Sequence, residues 1–275
     1  MNGSMEKKEN DDLKVTHNLG RIKHKIIVLS GKGGVGKSTV SVNLAFALSE
    51  KKYAVGLMDC DIHGPSIPKI LGVEEKKPTT SATGFNPISV TPNLKVMSMG
   101  FLLSDTDSPV IWRGPMKMGA IKQFIGDVDW GDLDYLIVDL PPGTGDEPLS
   151  IAQLIPQSDG AVIVTTPQDL ALVSVRKSIN FVKKMNMPVI GIIENMSGFT
   201  CPHCKKNVDI FKTGGGLKAS MDLQVPFLGK IPLDPNIVLT SDSGEPFLIK
   251  NASTDAGKAI INIVEKIEHI VKQRR

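Results

Sequence analysis

The sequence is poor in the features that commit a chain to a membrane, to nucleic acid or to the outside of a cell. It has three cysteines in 275 residues, Cys60, Cys201 and Cys204, an odd and sparse set that does not make a disulfide framework. A reducing, cytoplasmic setting is expected. No apolar run approaches the length of a bilayer span. The first 25 residues are polar and mixed in charge, without the apolar core of a secretory signal. Charge of one sign is also scarce: the formal net charge is +3 and no long basic run stands out, so nothing in the balance calls for nucleic acid. The Asn-Lys-x-Asp signature of guanine binding is missing as well, which favours ATP over GTP. What remains, 41% hydrophobic and 22% charged, describes an ordinary soluble globule with enough chain to bury a sizeable core.

What is present is organised around Gly31 to Thr39, Gly-Lys-Gly-Gly-Val-Gly-Lys-Ser-Thr. The pattern is that of a phosphate-binding loop. The apolar run Ile26–Leu29 reads as a strand delivering the loop, and Ser38 to Leu48 as the helix leaving it. Backbone donors of Gly33, Gly34, Val35 and Gly36 can then wrap an anion at a helix N-terminus. Lys37 is placed to reach the β- and γ-phosphates, Ser38 to ligate Mg²⁺, and Thr39 to face the α-phosphate region. A second metal-assisting carboxylate is expected from Asp139, which ends the apolar strand Tyr135–Val138. Pro141 to Asp146 follows and is read as a switch segment. Asp59 and Asp61 close the second strand and are expected to point different ways; Asp61 is read as orienting the attacking water, against a bland role as a turn cap. Cys60 between them reads as a small buried residue. Asn195, beyond the strand Val189–Ile193, either presents its amide to adenine or simply forms a turn.

Elsewhere, Met1 to residue 20 is rich in Lys, Glu, Asn and Asp and is expected to be a disordered tail. Residues 21–275 read as a single domain. Strands are expected at Ala54–Met58, Lys95–Met99, Tyr135–Val138, Ala161–Thr165, Val189–Ile193 and Phe227–Ile231, with helical patterns between them. The alternation predicts an α/β fold with a doubly wound, mainly parallel sheet flanked by helices. Residues 74–93 look like an excursion with a small hairpin around Ile88–Val90. The last helix carries Ile260, Ile263, Val264, Ile267, Ile270 and Val271 as an apolar stripe. The stripe either packs on the sheet or rests on a membrane surface, and Glu265 and Glu268 weigh against lipid.

Cys201-Pro202-His203-Cys204, in the loop 196–210, places two sulfurs within reach of one metal centre. A tetrahedral zinc or [4Fe–4S] site wants four protein ligands. One chain offers two here, and a symmetric dimer doubles them. Spacing alone leaves iron–sulfur, zinc and a metal-free pair open. Arg113 invites an arginine-finger reading but equally a structural one, and is not counted among the catalytic residues.

Lys32 directly after the first glycine makes the loop resemble the deviant Walker A motif of the MinD/ParA/nitrogenase-reductase class. Met58 to Pro68, Trp112 to Met116, Asp139 to Asp146 and Glu194 to Phe199 together make the chain, from about residue 22 to 272, similar to the Mrp/ApbC family of iron–sulfur cluster carrier ATPases. The resemblance implies that Lys32 reaches a partner subunit's phosphates, Asp61 positions water, Asp139 serves Mg²⁺ and Asn195 reads adenine. It also favours a [4Fe–4S] cluster bridging two subunits through Cys201 and Cys204, over zinc. Some family members carry an additional N-terminal four-cysteine site; no cysteine precedes Cys60 here. The expectation is a slow Mg-dependent ATPase, a homodimer that loads a cluster and passes it to apo iron–sulfur proteins without nucleic acid or membrane. The rival is a MinD/ParA-like positioning ATPase on membrane or DNA, with structural zinc at the cysteine pair.

Overall fold

The computed structural model describes residues 13–80, 84–102, 114–155, 157–201, 203–204 and 206–274, the side chains of 114–118 and 169–171 excepted. Helix α1 occupies 13–20, followed by β1 (Ile22–Leu29), α2 (Lys37–Glu50), β2 (Val55–Asp59) and the short α3 (Ile67–Ile70). A two-stranded flap, β3 (Thr79–Thr80) and β4 (Phe85–Asn86), precedes β5 (Ile88–Thr91) and β6 (Leu94–Ser98). Helix and strand then alternate: α4 (Gly114–Asp127), β7 (Leu133–Asp139), α5 (Asp146–Leu154), β8 (Gly160–Thr165), α6 (Asp169–Lys184) and β9 (Val189–Glu194). A small hairpin, β10 (Phe199–Thr200) and β11 (Asn207–Val208), interrupts that rhythm before α7 (Gly215–Leu223), β12 (Phe227–Lys230), α8 (Pro235–Asp242), α9 (Leu248–Asn251) and α10 (Asp255–Gln273).

Eight strands form one sheet in the order β12-β9-β8-β1-β7-β2-β6-β5. Every pairing is parallel except β5 on β6, where Ile88 faces Val96 in antiparallel register. The apolar runs are continuous because both faces are covered. In β1 the pleat sends Ile26 and Val28 into one core and Ile27 and Leu29 into the other. The doubly wound α/β expectation is met. The hairpin expected near Ile88–Val90 becomes the antiparallel edge of the main sheet.

Helix α2 is buried all round, from Val40 to Ser49; it is mostly apolar, and its Ser41, Asn43 and Ser49 side chains donate to the helix's own carbonyls. Helix α10 is capped by Thr254, whose hydroxyl accepts from the Gly257 N–H at 3.1 Å. Its stripe of Ile260, Ile263, Val264, Ile267 and Val271 lies in the first core, so that face packs on the sheet. No helix among the described residues is long and apolar enough to cross a membrane.

The disordered tail expected up to residue 20 needs correction. Residues 13–20 are helical, and Val15 and Leu19 are buried in the second core. Four residues apart, they share one helix face. Asn18 Nδ2 donates to the carbonyls of Gly126 and Val128 at 2.7 and 3.3 Å, and Lys14 pairs with Asp127 at 3.1 Å. A polar average over the tail hides two apolar side chains at helical spacing. Residues 1–12 lie outside the described residues.

Parallel pairing carries the C-termini of every strand of this sheet but β5 to one edge. The chain leaves β1 for β2 on one side and, after β7, crosses to β8 on the other. The loop after β1 thus sits where the winding reverses, the place where open α/β sheets have a crevice.

Candidate functional site: a phosphate loop beside a cysteine hairpin

The loop after β1 turns by left-handed backbone at Gly34 (φ 75°) and Gly36 (φ 77°), a region that residues with a Cβ avoid. A Cβ on Gly36 would also stand 2.3 Å from Asn195 Nδ2. Helix α2 starts at Lys37 with Gly36 as its N-cap and no side-chain cap, leaving its first N–H groups to meet whatever enters. A cavity of about 210 Å³ opens there, lined by Gly33 to Thr39 with Ser30, Asp61, Ser66 and Pro142. The phosphate-loop residues expected from sequence are therefore assembled around one space. A larger groove of about 820 Å³, running from Thr144 in the loop before α5 to Lys184 and Pro188, shares no lining residue with it.

Beneath the loop lies a buried charge cluster. Asp139, with no exposed surface, accepts from Lys37 Nζ at 2.6 Å and Ser38 Oγ at 2.7 Å through Oδ2, and from Ser41 Oγ at 2.6 Å through Oδ1. In register beside it on β2 is Asp59, equally buried, whose Oδ2 accepts from Ser98 Oγ at 2.9 Å. Burial, and then the negative charge of Asp139, push the Asp59 carboxyl up to about 7 against the pull of the Ser98 hydroxyl. Two carboxylates share one ammonium, so with both ionised the cluster carries an excess negative charge. It is stable with a bound proton or an added cation. The adjoining hard oxygens of Ser38 and Asp139 are the donors magnesium prefers, and the residues present fit Mg²⁺.

Asp59 is the last residue of β2 and is buried; Asp61 lies beyond the strand end, half exposed, on the cavity wall. The expected divergence of the two carboxylates is observed, but its cause is the end of the strand. A continued strand would have put residues two apart on one face. Asp61 Oδ1 accepts from the N–H groups of His63 and Gly64, both at 3.1 Å, so it caps its turn while bordering the cavity. Cys60 is buried, and its thiol is pushed well above the usual range by burial and then by Asp59. That keeps it protonated and inert. Lys32 is half exposed at the mouth of the loop, without a carboxylate partner among the described residues.

Asn195 is buried, and Nδ2 donates to the Val35 carbonyl at 2.9 Å. Here its amide braces the phosphate loop. Past it, Met196 (φ 57°) and Gly198 (φ 78°) turn the chain into the β10–β11 hairpin, where Phe199 pairs with Val208 and Thr200 with Asn207. The Cys201 N–H donates to the Lys206 carbonyl at 3.0 Å. Cys201 is half buried and Cys204 exposed, and no cysteine is in a disulfide. Among the described residues, no three His, Cys, Asp or Glu side chains gather as a metal site. Val208, Ile210 and Phe211 are exposed just beyond the cysteines.

Sequence reasoning passed over Ser41, Ser98 and Glu194. A serine among the apolar residues of a helix expected to be buried was a usable signal for Ser41. Ser98 had no such mark, because its partner Asp59 is distant in the chain; Glu194 entered only as the start of the Glu194 to Phe199 motif, since its backbone partners Gly214 and Gly216 are distant too. Arg113 lies outside the described residues.

Comparison with known proteins gives one answer. The profile of the ParA family, described as NUBPL iron-transfer P-loop NTPases, matches residues 21–268. An iron–sulfur cluster carrier protein of Methanocaldococcus jannaschii is 56% identical over 259 residues, spanning 94% of this chain and 89% of the relative. One of the same name from Saccharolobus solfataricus is 50% identical over 264 residues, spanning 96% and 89%. Among solved structures, a nucleotide-binding protein of Archaeoglobus fulgidus in complex with ADP superposes with a TM-score of 0.76 at 39% identity, over 86% of this chain and 92% of that one. The cell-division ATPase MinD of Pyrococcus furiosus superposes at 0.63 with 23% identity, over 90% and 99%, and shows likeness of fold. The chain belongs to the ParA family of NUBPL iron-transfer P-loop NTPases.

Proposed function

We propose that this chain is an ATP-binding and ATP-hydrolysing iron–sulfur cluster carrier. Residues 21–275, with helix α1 packed on them, act as one domain; two copies jointly hold a [4Fe–4S] cluster on Cys201 and Cys204 of each, and pass it to apo-proteins. One observation carries the reading: a phosphate-loop cavity stands in the same molecule as a cysteine pair, one half buried and one exposed, that no third ligand completes among the described residues. Iron–sulfur clusters take four protein ligands, and a two-fold interface supplies them by repeating one turn. Exposed Val208, Ile210 and Phe211 beside the cysteines are apolar surface of the kind that pairing would cover. The names of the relatives point the same way.

In this reading the backbone of Gly33 to Gly36 and the side chains of Lys37 and Thr39 hold the phosphates. Ser38 and Asp139 hold Mg²⁺, which supplies charge neutralisation there, and Asp61 orients water. Lys32, at the mouth of the loop, reaches the phosphates of the opposite copy. An adenine contact by Asn195 requires its bond to Val35 to be shared or exchanged when nucleotide binds. Hydrolysis is slow because the nucleotide serves as a switch. A cluster held half by each subunit suits transfer, since each can release its share.

Anaerobic reconstitution, with iron and sulfide counted per pair of chains, tests this. Wild type should hold one four-iron cluster per two chains, and Cys201→Ala/Cys204→Ala none. Zinc without sulfide would remove the carrier reading and leave the NTPase.

A further inference from the structure

The cysteine excursion leaves the sheet after β9 and returns at α7, and one side chain gathers both ends. Glu194, the last residue of β9, has no exposed surface. Its Oε1 accepts from Ser197 Oγ at the entry and from the Gly214 N–H at the exit, the latter at 2.9 Å. Its Oε2 accepts from the Gly216 N–H. Gly214 is the N-cap of α7 at φ 88°. The carboxylate therefore satisfies donors that a helix start would otherwise leave open. The next residue faces the nucleotide side: Asn195 Nδ2 holds the Val35 carbonyl of the phosphate loop, and its own N–H donates to Thr165 at 2.7 Å. The hairpin between these ends is exposed from His203 onward through Phe211 wherever described. Its pose is set at its roots.

We infer that Glu194 is a positioning residue that couples occupancy of the phosphate loop to the arrangement of the Cys201–Cys204 hairpin. This rests on the nucleotide and cysteine roles proposed above. An anion in the loop recruits the N–H groups around Val35 and Gly36 and so changes the strength and position of the Val35 carbonyl that Asn195 grips. Asn195 and Glu194 are chain neighbours, both buried and both hydrogen-bonded at their tips, so a displacement of the Val35 carbonyl has a short path to the Glu194 carboxylate. That carboxylate fixes Ser197 against Gly214 and Gly216, so a shift of β9's end moves both hairpin roots together. A carboxylate is required because all of its partners here are donors. Glutamine would turn an amide NH₂ on at least one of them.

The measurement is the alkylation rate of Cys201 and Cys204 in the metal-free full chain, with and without saturating MgADP or MgATP. Wild type, Glu194→Gln and Ser197→Ala are compared, with nucleotide affinity measured separately. Wild type should show a nucleotide effect of about fivefold or more, the lower end of ordinary allosteric coupling. Glu194→Gln should bring the ratio near one while leaving nucleotide affinity within about twofold. Ser197→Ala removes one bond, leaves the helix cap in place and should give an intermediate ratio, which keeps the test available if the glutamine variant folds poorly. A wild-type ratio in both variants, or a ratio of one in nucleotide-saturated wild type, would overturn the coupling but leave the carrier reading intact. Failure of wild type to bind nucleotide would overturn the nucleotide role itself, and this inference with it.

Discussion

Asp59 and Asp139 face each other in register, both without exposed surface, yet their amide substitutions should move stability in opposite directions. Asp59 has its carboxyl pushed up to about 7 by burial and by its neighbour, against about 3.9 in an unfolded chain. Between those values the folded protein binds the extra proton, so stability falls as pH rises through about 4 to 7. Below pH 4 both states are protonated and the penalty vanishes. About three pH units at 1.36 kcal/mol each sets a ceiling of about 4 kcal/mol. Shared titration with Asp139 makes about 2 kcal/mol a fair expectation. Asp59→Asn keeps its Ser98 contact but turns its NH₂ toward the Asp61 N–H that the carboxylate accepted, so it should stabilise the protein at pH 8 by less than that and cost about 1 kcal/mol at pH 4. Asp139→Asn should cost about 3 kcal/mol, because it strips the countercharge from buried Lys37. Urea unfolding followed by circular dichroism, in EDTA and without nucleotide, reads both. A destabilised Asp59→Asn at pH 8, or a gain equal at pH 4 and pH 8, would refute the reasoning.

Gly36→Ala should abolish nucleotide binding and cost about 1–3 kcal/mol, since it strains a left-handed residue and pushes Asn195 off Val35; calorimetry with MgADP and a thermal melt would show both. Alkylation of the native metal-free protein near pH 8 should label Cys204 and Cys201 and spare Cys60, whose thiol is buried and held protonated. Mass spectrometry identifies the sites, and early labelling of Cys60 would contradict its burial. Leu19→Ala should destabilise by about 2–4 kcal/mol, as for a buried core leucine, whereas a loose tail would tolerate it without change in the unfolding midpoint.

The phosphate loop was legible because its chemistry is local. Glycine, lysine and serine at fixed spacing, between an apolar strand and a helix, are enough to make an anion cradle. The strands buried on both faces were legible for a similar reason, as continuous Val, Ile and Leu runs need no partner to be recognised. The short helix at 13–20 was hidden because two apolar residues carry it and its Asn18 docks on the carbonyls of Gly126 and Val128, more than a hundred residues away.

Residue types and their spacing by themselves determined the α/β class, the position of the phosphate loop and the presence of a cysteine pair short of a full ligand set. Tertiary structure alone decided how those parts meet. Parallel pairing brings Asp59 and Asp139 side by side above one lysine, and a strand that ends at Asp59 sends Asp61 to the cavity. The end of β9 places Asn195 on the loop and Glu194 across the roots of the hairpin. The physical reason is that charge, burial and hydrogen-bond satisfaction depend on distance in space, and a sheet with strand order β12-β9-β8-β1-β7-β2-β6-β5 brings together groups that lie far apart along the chain.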